Sequence, residues 1–191
     1  MRKKLGASFY KKSTFWLARA LLGKYLVHKT QKGRISGKII ETEIYYGRKD
    51  EGSHACSGMT NRNMPMFGEP GRLYVYFIYG MYYCLNIVTE RKGFPAAILI
   101  RALEPKEGIR KMMKNRKTGN IKNLASGPGK LCQALGITNK HNNLNLLGNE
   151  IFIEDWGEKV PKIKRCPRVG LSSSISKKAR ERKWRFKAEE K

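Results

Sequence analysis

Two glutamates, Glu41 and Glu43, lie two residues apart in the run Ile39-Ile40-Glu41-Thr42-Glu43-Ile44-Tyr45-Tyr46. Side chains alternate along a strand, so Glu41, Glu43 and Tyr45 share one face and Ile40, Thr42 and Ile44 the other. A carboxylate held in this way can act as a general base or stabilise developing positive charge. For either glutamate alone, an amphipathic strand with its acids in water is the simpler account. Context favours chemistry: Met1 to Ile40 carry eleven basic residues and no acidic one, so Glu41 is the first carboxylate. A carboxylate kept beside a strongly basic surface opposes the binding of polyanions and therefore points to another task.

The run Arg72-Leu73-Tyr74-Val75-Tyr76-Phe77-Ile78-Tyr79-Gly80-Met81-Tyr82-Tyr83 is the second candidate. Its alternation puts Tyr74 and Tyr76 opposite Leu73, Val75 and Phe77, with large side chains on both faces. A core position is expected for Leu73, Val75 and Phe77, and for Tyr82 or Tyr83; Tyr76 reads either way. Tyr79 falls at a turn, where a projecting aromatic ring beside basic residues can wedge between stacked bases. His54, alone in the loop Glu51-Gly52-Ser53-His54-Ala55-Cys56, gains no role from pattern. Ser126-Gly127-Pro128-Gly129-Lys130 offers a helix N-terminus and an ammonium to one phosphate. Its spacing does not fit a nucleotide P-loop. A DNA backbone phosphate suits it better than ATP, and a simple capped helix fits as well.

Forty Lys and Arg against fifteen Asp and Glu give a net charge of +25 on 191 residues. That excess repels itself unless a polyanion offsets it, which favours nucleic acid over an acidic membrane surface, since no long basic amphipathic helix is evident. Basic stretches at Met1–Ile40, Lys106–Lys122 and from Ser176 onward suggest several backbone contacts. For any single lysine a solvated face is the better account. Cys56, Cys84, Cys132 and Cys166 form no C-x-x-C pair, and no neighbouring histidines give zinc spacing, so no metal or other cofactor is expected. Cys84 and Cys132, within apolar patterns, read as buried free thiols. Met1-Arg2-Lys3-Lys4 opens no secretory signal, and Tyr74–Val88 is too short to span a bilayer. The expected setting is a reducing interior: cytoplasm and nucleoid in a bacterium, nucleus in a eukaryote.

The elements that must position these residues follow from punctuation and periodicity. Ser13 or Thr14 caps a helix carrying Phe15, Trp16, Ala18, Leu21 and Leu22 that ends near Gly23. Strands are expected at about Tyr25–Lys29 and Gly37–Tyr45, then a glycine-rich irregular loop from Tyr46 to Gly71. Arg72–Ile78 and Tyr82–Thr89 read as a hairpin turning at Tyr79-Gly80-Met81. A strand Ala96–Leu103 is expected to stop before Pro105, with a helix from Pro105 to Asn115. A second helix opens at Ser126-Gly127-Pro128 and ends at Gly136. Short strands near Ile151–Ile153 and around Val169 precede a basic tail from about residue 187. The expectation is one α+β domain over residues 1–191, with a curved, mainly antiparallel β-sheet flanked by helices.

Taken in order, these segments resemble the alkyladenine (3-methyladenine) DNA glycosylase family. The matching stretches are Glu41-Thr42-Glu43-x-Tyr45, Asp50-Glu51-x-x-His54, Met66-Phe67-x-x-Pro70-Gly71 and Leu73-Tyr74-Val75-Tyr76-x-Ile78-Tyr79-Gly80-Met81-Tyr82. They continue with Asn86-Ile87, Arg101-Ala102-Leu103-Glu104-Pro105, Ser126-Gly127-Pro128-x-Lys130-Leu131-Cys132-Gln133-Ala134-Leu135 and Arg168-Val169-Gly170. The resemblance implies a monofunctional glycosylase. Such an enzyme flips an alkylated or deaminated purine (3-methyladenine, 7-methylguanine, hypoxanthine, ethenoadenine) out of double-stranded DNA and hydrolyses its glycosidic bond. It implies that Glu43 is the general base for the attacking water, with Arg101 helping to hold that water. It places Tyr45, His54 and Tyr76 around the flipped base, Tyr79 in the gap left behind, and Asn86 against the 2-amino group of guanine. Lys130 and Arg168 are read as DNA-backbone contacts. The enzyme is expected to act as a monomer, without metal and away from membranes.

Two other readings remain at this level. A non-catalytic basic nucleic-acid-binding protein fits the composition but leaves Glu43, Tyr79 and Asn86 unexplained. A glycosylase that also cuts the strand through a lysine Schiff base fits the abundance of lysine, whereas the resemblance argues for simple hydrolysis.

Overall fold

A computed structural model describes residues 2–160 and 162–189. In chain order the elements are β1 (Lys3–Lys4), α1 (Ala7–Tyr10), α2 (Thr14–Ala20), β2 (Tyr25–Thr30), β3 (Gly33–Tyr46), β4 (Leu73–Ile78), β5 (Tyr82–Val88) and β6 (Ala96–Glu107). They continue with α3 (Ile109–Arg116), α4 (Pro128–Leu135), β7 (Ile151–Asp155), β8 (Lys162–Cys166), α5 (Lys177–Glu181) and β9 (Arg185–Glu189). Nine strands form one sheet in the order β1-β7-β2-β3-β6-β5-β4, with β9 bridging β3 and β8, and every pairing is antiparallel.

The long strand β3 organises the sheet. Along one edge it pairs with β2 through Gly33–Lys38 and then with β9 through Glu41–Glu43; along the other it pairs with β6. The β3–β6 ladder changes register twice near the acids: Ile39 pairs Leu103, Glu41 pairs Ala102, and Thr42 pairs Ile100. Ile40 is therefore the extra residue on β3 and Arg101 the extra residue on β6. Such bulges bend a strand and re-aim a side chain, and this one turns Arg101 toward the acids. Beyond it the register is regular, so Glu43 (β3), Leu99 (β6), Asn86 (β5) and Tyr74 (β4) form one row across four strands.

Each sheet face has its own core. Ile44, Leu73, Val75, Leu85, Ile87, Ile98 and Ile100 are buried with α2 and α4 in the main cluster. Helix α4 forms because Pro128 presets its first turn after Gly127, its apolar residues Leu131, Cys132, Ala134 and Leu135 keep one face, and Gly136 takes a left-handed φ of 70° at its end. Truncating a buried leucine such as Leu131 to alanine should cost about 2–5 kcal/mol. On the opposite face, Ala55, Met66, Phe67, Tyr74, Val88 and Ala97 make a smaller cluster beneath the irregular segment 47–72, with Tyr45 and Tyr76 packed against it.

Several elements differ from expectation. Pro105 lies inside β6, opposite Gly37 where the register shifts after Ser36; a bulge tolerates a residue that cannot donate to the ladder. The helix expected from Pro105 begins only at Ile109, after Gly108 adopts φ of 72°. No strand forms around Val169, which sits in a connecting segment. Instead β8 and β9 flank it, and Lys187–Glu189, expected in a tail, are strand residues. Phe77, expected in the core, is 46% exposed at the end of the hairpin. Cys84 and Cys132 are buried free thiols as expected, and burial raises both above the ordinary thiol range. Among the described residues no helix is long and apolar enough to cross a membrane.

Candidate active site

Glu43 has no exposed surface, so its strand is not the half-solvated one that alternation alone suggests. The pleat points Glu43 and Tyr45 away from the main core, and three groups converge on the carboxylate. Tyr45 Oη donates to Oε1 at 2.6 Å, the Val169 backbone N–H donates to Oε2 at 3.1 Å, and Arg101 Nη1 lies 3.4 Å from Oε2. Burial nevertheless dominates and raises Glu43 above the ordinary carboxylate range, opposed by Arg101, Tyr45, Val169 and Arg168. A buried carboxylate with a raised pKa takes up a proton more readily than a solvated one and is suited to act as a base.

Arg101 is shared. Its Nε donates to Glu41 Oε1 at 3.2 Å, and Arg185 Nη1 on β9 donates to the same oxygen at 2.7 Å. Glu41 thus pairs with two guanidiniums beside the base and offsets one of their two charges, while Arg101 keeps one arm toward Glu43. Glu41, an alternative carboxylate by spacing, takes a charge-pairing place instead of the base's, and Arg185 joins it from outside every sequence motif. Arg185 offered no signal at all, because only the pairing of β9 with β3 brings it here.

Arg168 corrects an expectation. It was read as a DNA-backbone contact, yet its side chain has 0% exposure and grips Asp50, also 0% exposed, at 2.6 and 2.7 Å. Asp50 also accepts the N–H groups of Tyr46 and Gly52, and Arg168 donates to the Ile44 carbonyl. A Cβ on Gly52 would stand 2.7 Å from the Arg168 guanidinium, so only glycine fits. A cation so enclosed cannot meet a phosphate; it anchors the segment whose next residue, Val169, donates to Glu43.

The remaining candidates line a cleft with two lobes. The outer lobe, about 370 Å³, is bounded by Tyr76, Tyr79, Tyr82, Arg101, Val169 and the first turn of α4 including Lys130. The inner slot, about 100 Å³, is lined by His54, Met66, Tyr74, Asn86 and Leu171. Tyr45 and Tyr76 border both. His54 stands edge-on to Tyr76 with ring centroids 4.6 Å apart, and its Nδ1 is 3.0 Å from Tyr74 Oη. Burial and the nearby Arg62 lower the His54 pKa, which keeps the ring neutral at pH 7. Asn86 is buried, and its Nδ2 donates to the Tyr74 carbonyl at 3.0 Å.

Tyr79 projects from the hairpin tip, 75% exposed, with φ of 54°. Gly80 follows at φ of 66°, and this consecutive left-handed pair makes the turn that pushes the ring outward. Met59, Met64, Phe77 and Met81 are also exposed, and Arg62 donates to the Phe77 carbonyl, tying the 59–64 loop to the tip. Lys130 Nζ reaches Asn123 and Ser126 at the mouth of the outer lobe. In the first basic block, Arg2, Lys24, Arg34 and Lys38 are held by Glu107, Asp155, Glu154 and Glu104, so this block offers fewer free cations than its composition suggests.

The family described as Methylpurine-DNA glycosylase matches residues 8–191. A Chlorobaculum tepidum protein is 49% identical over 174 residues, covering 90% of this chain and 83% of its own. A Methanocella arvoryzae protein is 48% identical over 184 residues, 95% of this chain and 90% of its own. A Clostridium acetobutylicum protein is 43% identical over 192 residues, 96% and 93% respectively. Each carries the name "Putative 3-methyladenine DNA glycosylase".

Proposed function

This chain belongs to the methylpurine-DNA glycosylase family, a hydrolase of N-glycosyl bonds in DNA; from that premise we propose that it flips an alkylated or deaminated purine from duplex DNA into the cleft beside Glu43 and releases it by simple hydrolysis. The observation that carries the reading is the buried Glu43 carboxylate, whose three donors Tyr45, Val169 and Arg101 all line the outer lobe of the cleft. Family membership sets aside the non-catalytic binding protein.

In the proposed reaction a water between Glu43 and Arg101 gives a proton to the carboxylate as its oxygen bonds to C1′ of the sugar. The glycosidic electron pair leaves with the base. For a purine alkylated on a ring nitrogen that pair neutralises the positive charge, so no acid is required; a neutral hypoxanthine or ethenoadenine leaves as its anion and takes its proton from solvent water. Before departure, the electron-rich faces of Tyr45 and Tyr76 attract a cationic base, a contact worth about 0.5–2 kcal/mol. The ionised Glu43 also offsets positive charge developing on the sugar. Neutral His54 can hydrogen-bond the base edge, and Asn86 sits where a 2-amino group would intrude. Tyr79 enters the stack to hold the duplex open, at an unstacking cost of a few kcal/mol that is least at damaged pairs. Lys130 and the α4 N-terminus hold a backbone phosphate. We place this activity with the chromosome, in one copy of the chain acting alone.

The test is release of free base from duplexes carrying hypoxanthine, ethenoadenine or 7-methylguanine, by wild type and by Glu43→Gln. Release by wild type alone, leaving an intact abasic strand, is expected. Strand cleavage with a borohydride-trapped adduct would replace hydrolysis by lyase chemistry.

A further inference from the structure

Far from Glu43 in sequence, the fold assembles a second cluster of chemistry-bearing groups. His28 on β2, His141 in the 3₁₀ turn Asn139–His141, and Glu150, the residue before β7, bring one ligand atom each within 4.8 Å of one another. His141 Nε2 lies 3.4 Å and His28 Nε2 3.9 Å from Glu150 Oε1, and the two rings meet edge to face at 5.0 Å. Both histidines are buried; the Glu150 side chain is 50% exposed.

A hydrogen bond sets the His28 ring for ligation. His28 Nδ1 is 2.7 Å from the Leu135 carbonyl, which can only accept, so the proton sits on Nδ1 and the Nε2 lone pair faces the cluster. His141 Nδ1 meets both backbone groups of Thr138, accepting its N–H at 3.0 Å and lying 3.2 Å from its carbonyl, so ligation through Nε2 requires the tautomer that turns the Nδ1 proton to that carbonyl. Its Nε2, on a residue with no exposed surface, has no hydrogen-bond partner. A buried ring nitrogen left unsatisfied and aimed at a carboxylate calls for a ligand. Metal-bound histidines characteristically donate their other ring nitrogen to a backbone carbonyl, as His28 does to Leu135.

We propose that His28, His141 and Glu150 bind one divalent transition-metal ion of the Zn²⁺ class. Two imidazoles and one carboxylate suit Zn²⁺ rather than Ca²⁺ or Mg²⁺. Tetrahedral Zn²⁺ with bonds of about 2.0–2.1 Å separates its ligand atoms by roughly 3.3–3.4 Å. The His141–Glu150 distance already meets this; binding would draw His28 in from 3.9 Å to Glu150 and close the two ring nitrogens from within 4.8 Å of each other. The fourth position opens on a surface pocket lined by Lys29, Lys32, Lys111 and Lys140. Those ammonium groups weaken the hold on a bare cation and favour hydroxide or another anion as fourth ligand. The ion would clip together β2, the 139–141 turn and β7. Through the His28–Leu135 bond it would fix the end of α4 opposite the turn that lines the active cleft.

The test uses the untagged full chain, stripped with chelator and titrated with Zn²⁺, and with Co²⁺ for its visible d–d absorption. One ion per chain is expected, a tetrahedral Co²⁺ spectrum, and a melting temperature several degrees higher with Zn²⁺. Glu150→Gln, a surface change, should weaken binding by more than the roughly tenfold to hundredfold lost with an outer-shell partner, and leave base release unchanged. Glu43→Gln should bind Zn²⁺ as wild type does. Absence of uptake, uptake indifferent to Glu150→Gln, or uptake abolished by Glu43→Gln would overturn the proposal.

Discussion

Asp50 and Arg168, 118 residues apart in sequence, form a two-pronged ion pair with no exposed side-chain surface, and the residue after Arg168 donates its backbone N–H to Glu43. The pair thereby fixes the distance between the base and the segment that closes its cleft. Breaking a buried pair on one side strands a charge at about 3–5 kcal/mol. Asp50→Asn should therefore lower the melting temperature by roughly 10 °C, at 2–4 °C per kcal/mol for a chain of this size. The double change Asp50→Leu with Arg168→Met should recover part of that stability: no charge is left buried, although the N–H groups of Tyr46 and Gly52 and the Ile44 carbonyl lose their partners. Base release should stay impaired, since Val169 is no longer held. Equal recovery of stability and rate would show that the pair serves the fold alone. Calorimetry beside single-turnover kinetics separates the two.

Glu43 carries opposite consequences for rate and stability. Its carboxyl is raised in the folded chain, chiefly by burial, so the native state binds this proton more tightly than the unfolded one. Its contribution to stability is intact below the unfolded pKa and is lost as pH rises through the folded pKa. Glu43→Gln removes that loss. Relative to wild type the variant should melt higher at pH 7 than at pH 4, while single-turnover base release falls by about 10²–10⁴. The wild-type rate should fall on acidification with a midpoint above about 4.3, the ordinary value for glutamate. A midpoint at or below that value, or a variant less stable at pH 7 than at pH 4 relative to wild type, would contradict the assignment.

Tyr79 tests the wedge. Because the ring is 75% exposed, Tyr79→Ala should change stability by no more than about 0.5 kcal/mol. Its effect should appear instead in a fluorescent base analogue placed beside the lesion, whose signal on enzyme binding should be lost. An unchanged signal with slower base release would leave Tyr79 without a part in opening the duplex.

Much of the site was legible because β-strand alternation is strict. Glu43 with Tyr45, and Tyr74 with Tyr76, take the shared faces their spacing dictates. Gly80 announced the turn that exposes Tyr79, and Pro128 and Gly136 bounded α4. What alternation cannot convey is which face is covered: Glu43, which alternation alone would leave in water, is buried against Val169 of the connecting segment. Pro105 misled because a bulge, invisible in composition, absorbs its missing donor. Arg168 misled because a charge reads as surface until its partner is known, and Asp50 is distant in sequence. Arg185, His28, His141 and Glu150 are joined only by long-range strand pairing and turns, for which local pattern holds no signal.

Asn86 should govern rejection of normal guanine. Its amide is held by the Tyr74 carbonyl in the row that leads to Glu43, so it presents a fixed obstacle at the floor of the inner slot. Filling or clearing space of one small group in a pocket is worth about 1–3 kcal/mol, or 10–200-fold in discrimination. Asn86→Ala vacates the amide without adding charge. It should therefore raise release of guanine relative to hypoxanthine by at least roughly tenfold, with little change for hypoxanthine itself, which carries no 2-amino group. Competition between the two bases in matched duplexes measures the ratio directly. A parallel loss on both would mean that Asn86 supports the slot through its bond to Tyr74, and that selection against the 2-amino group lies elsewhere.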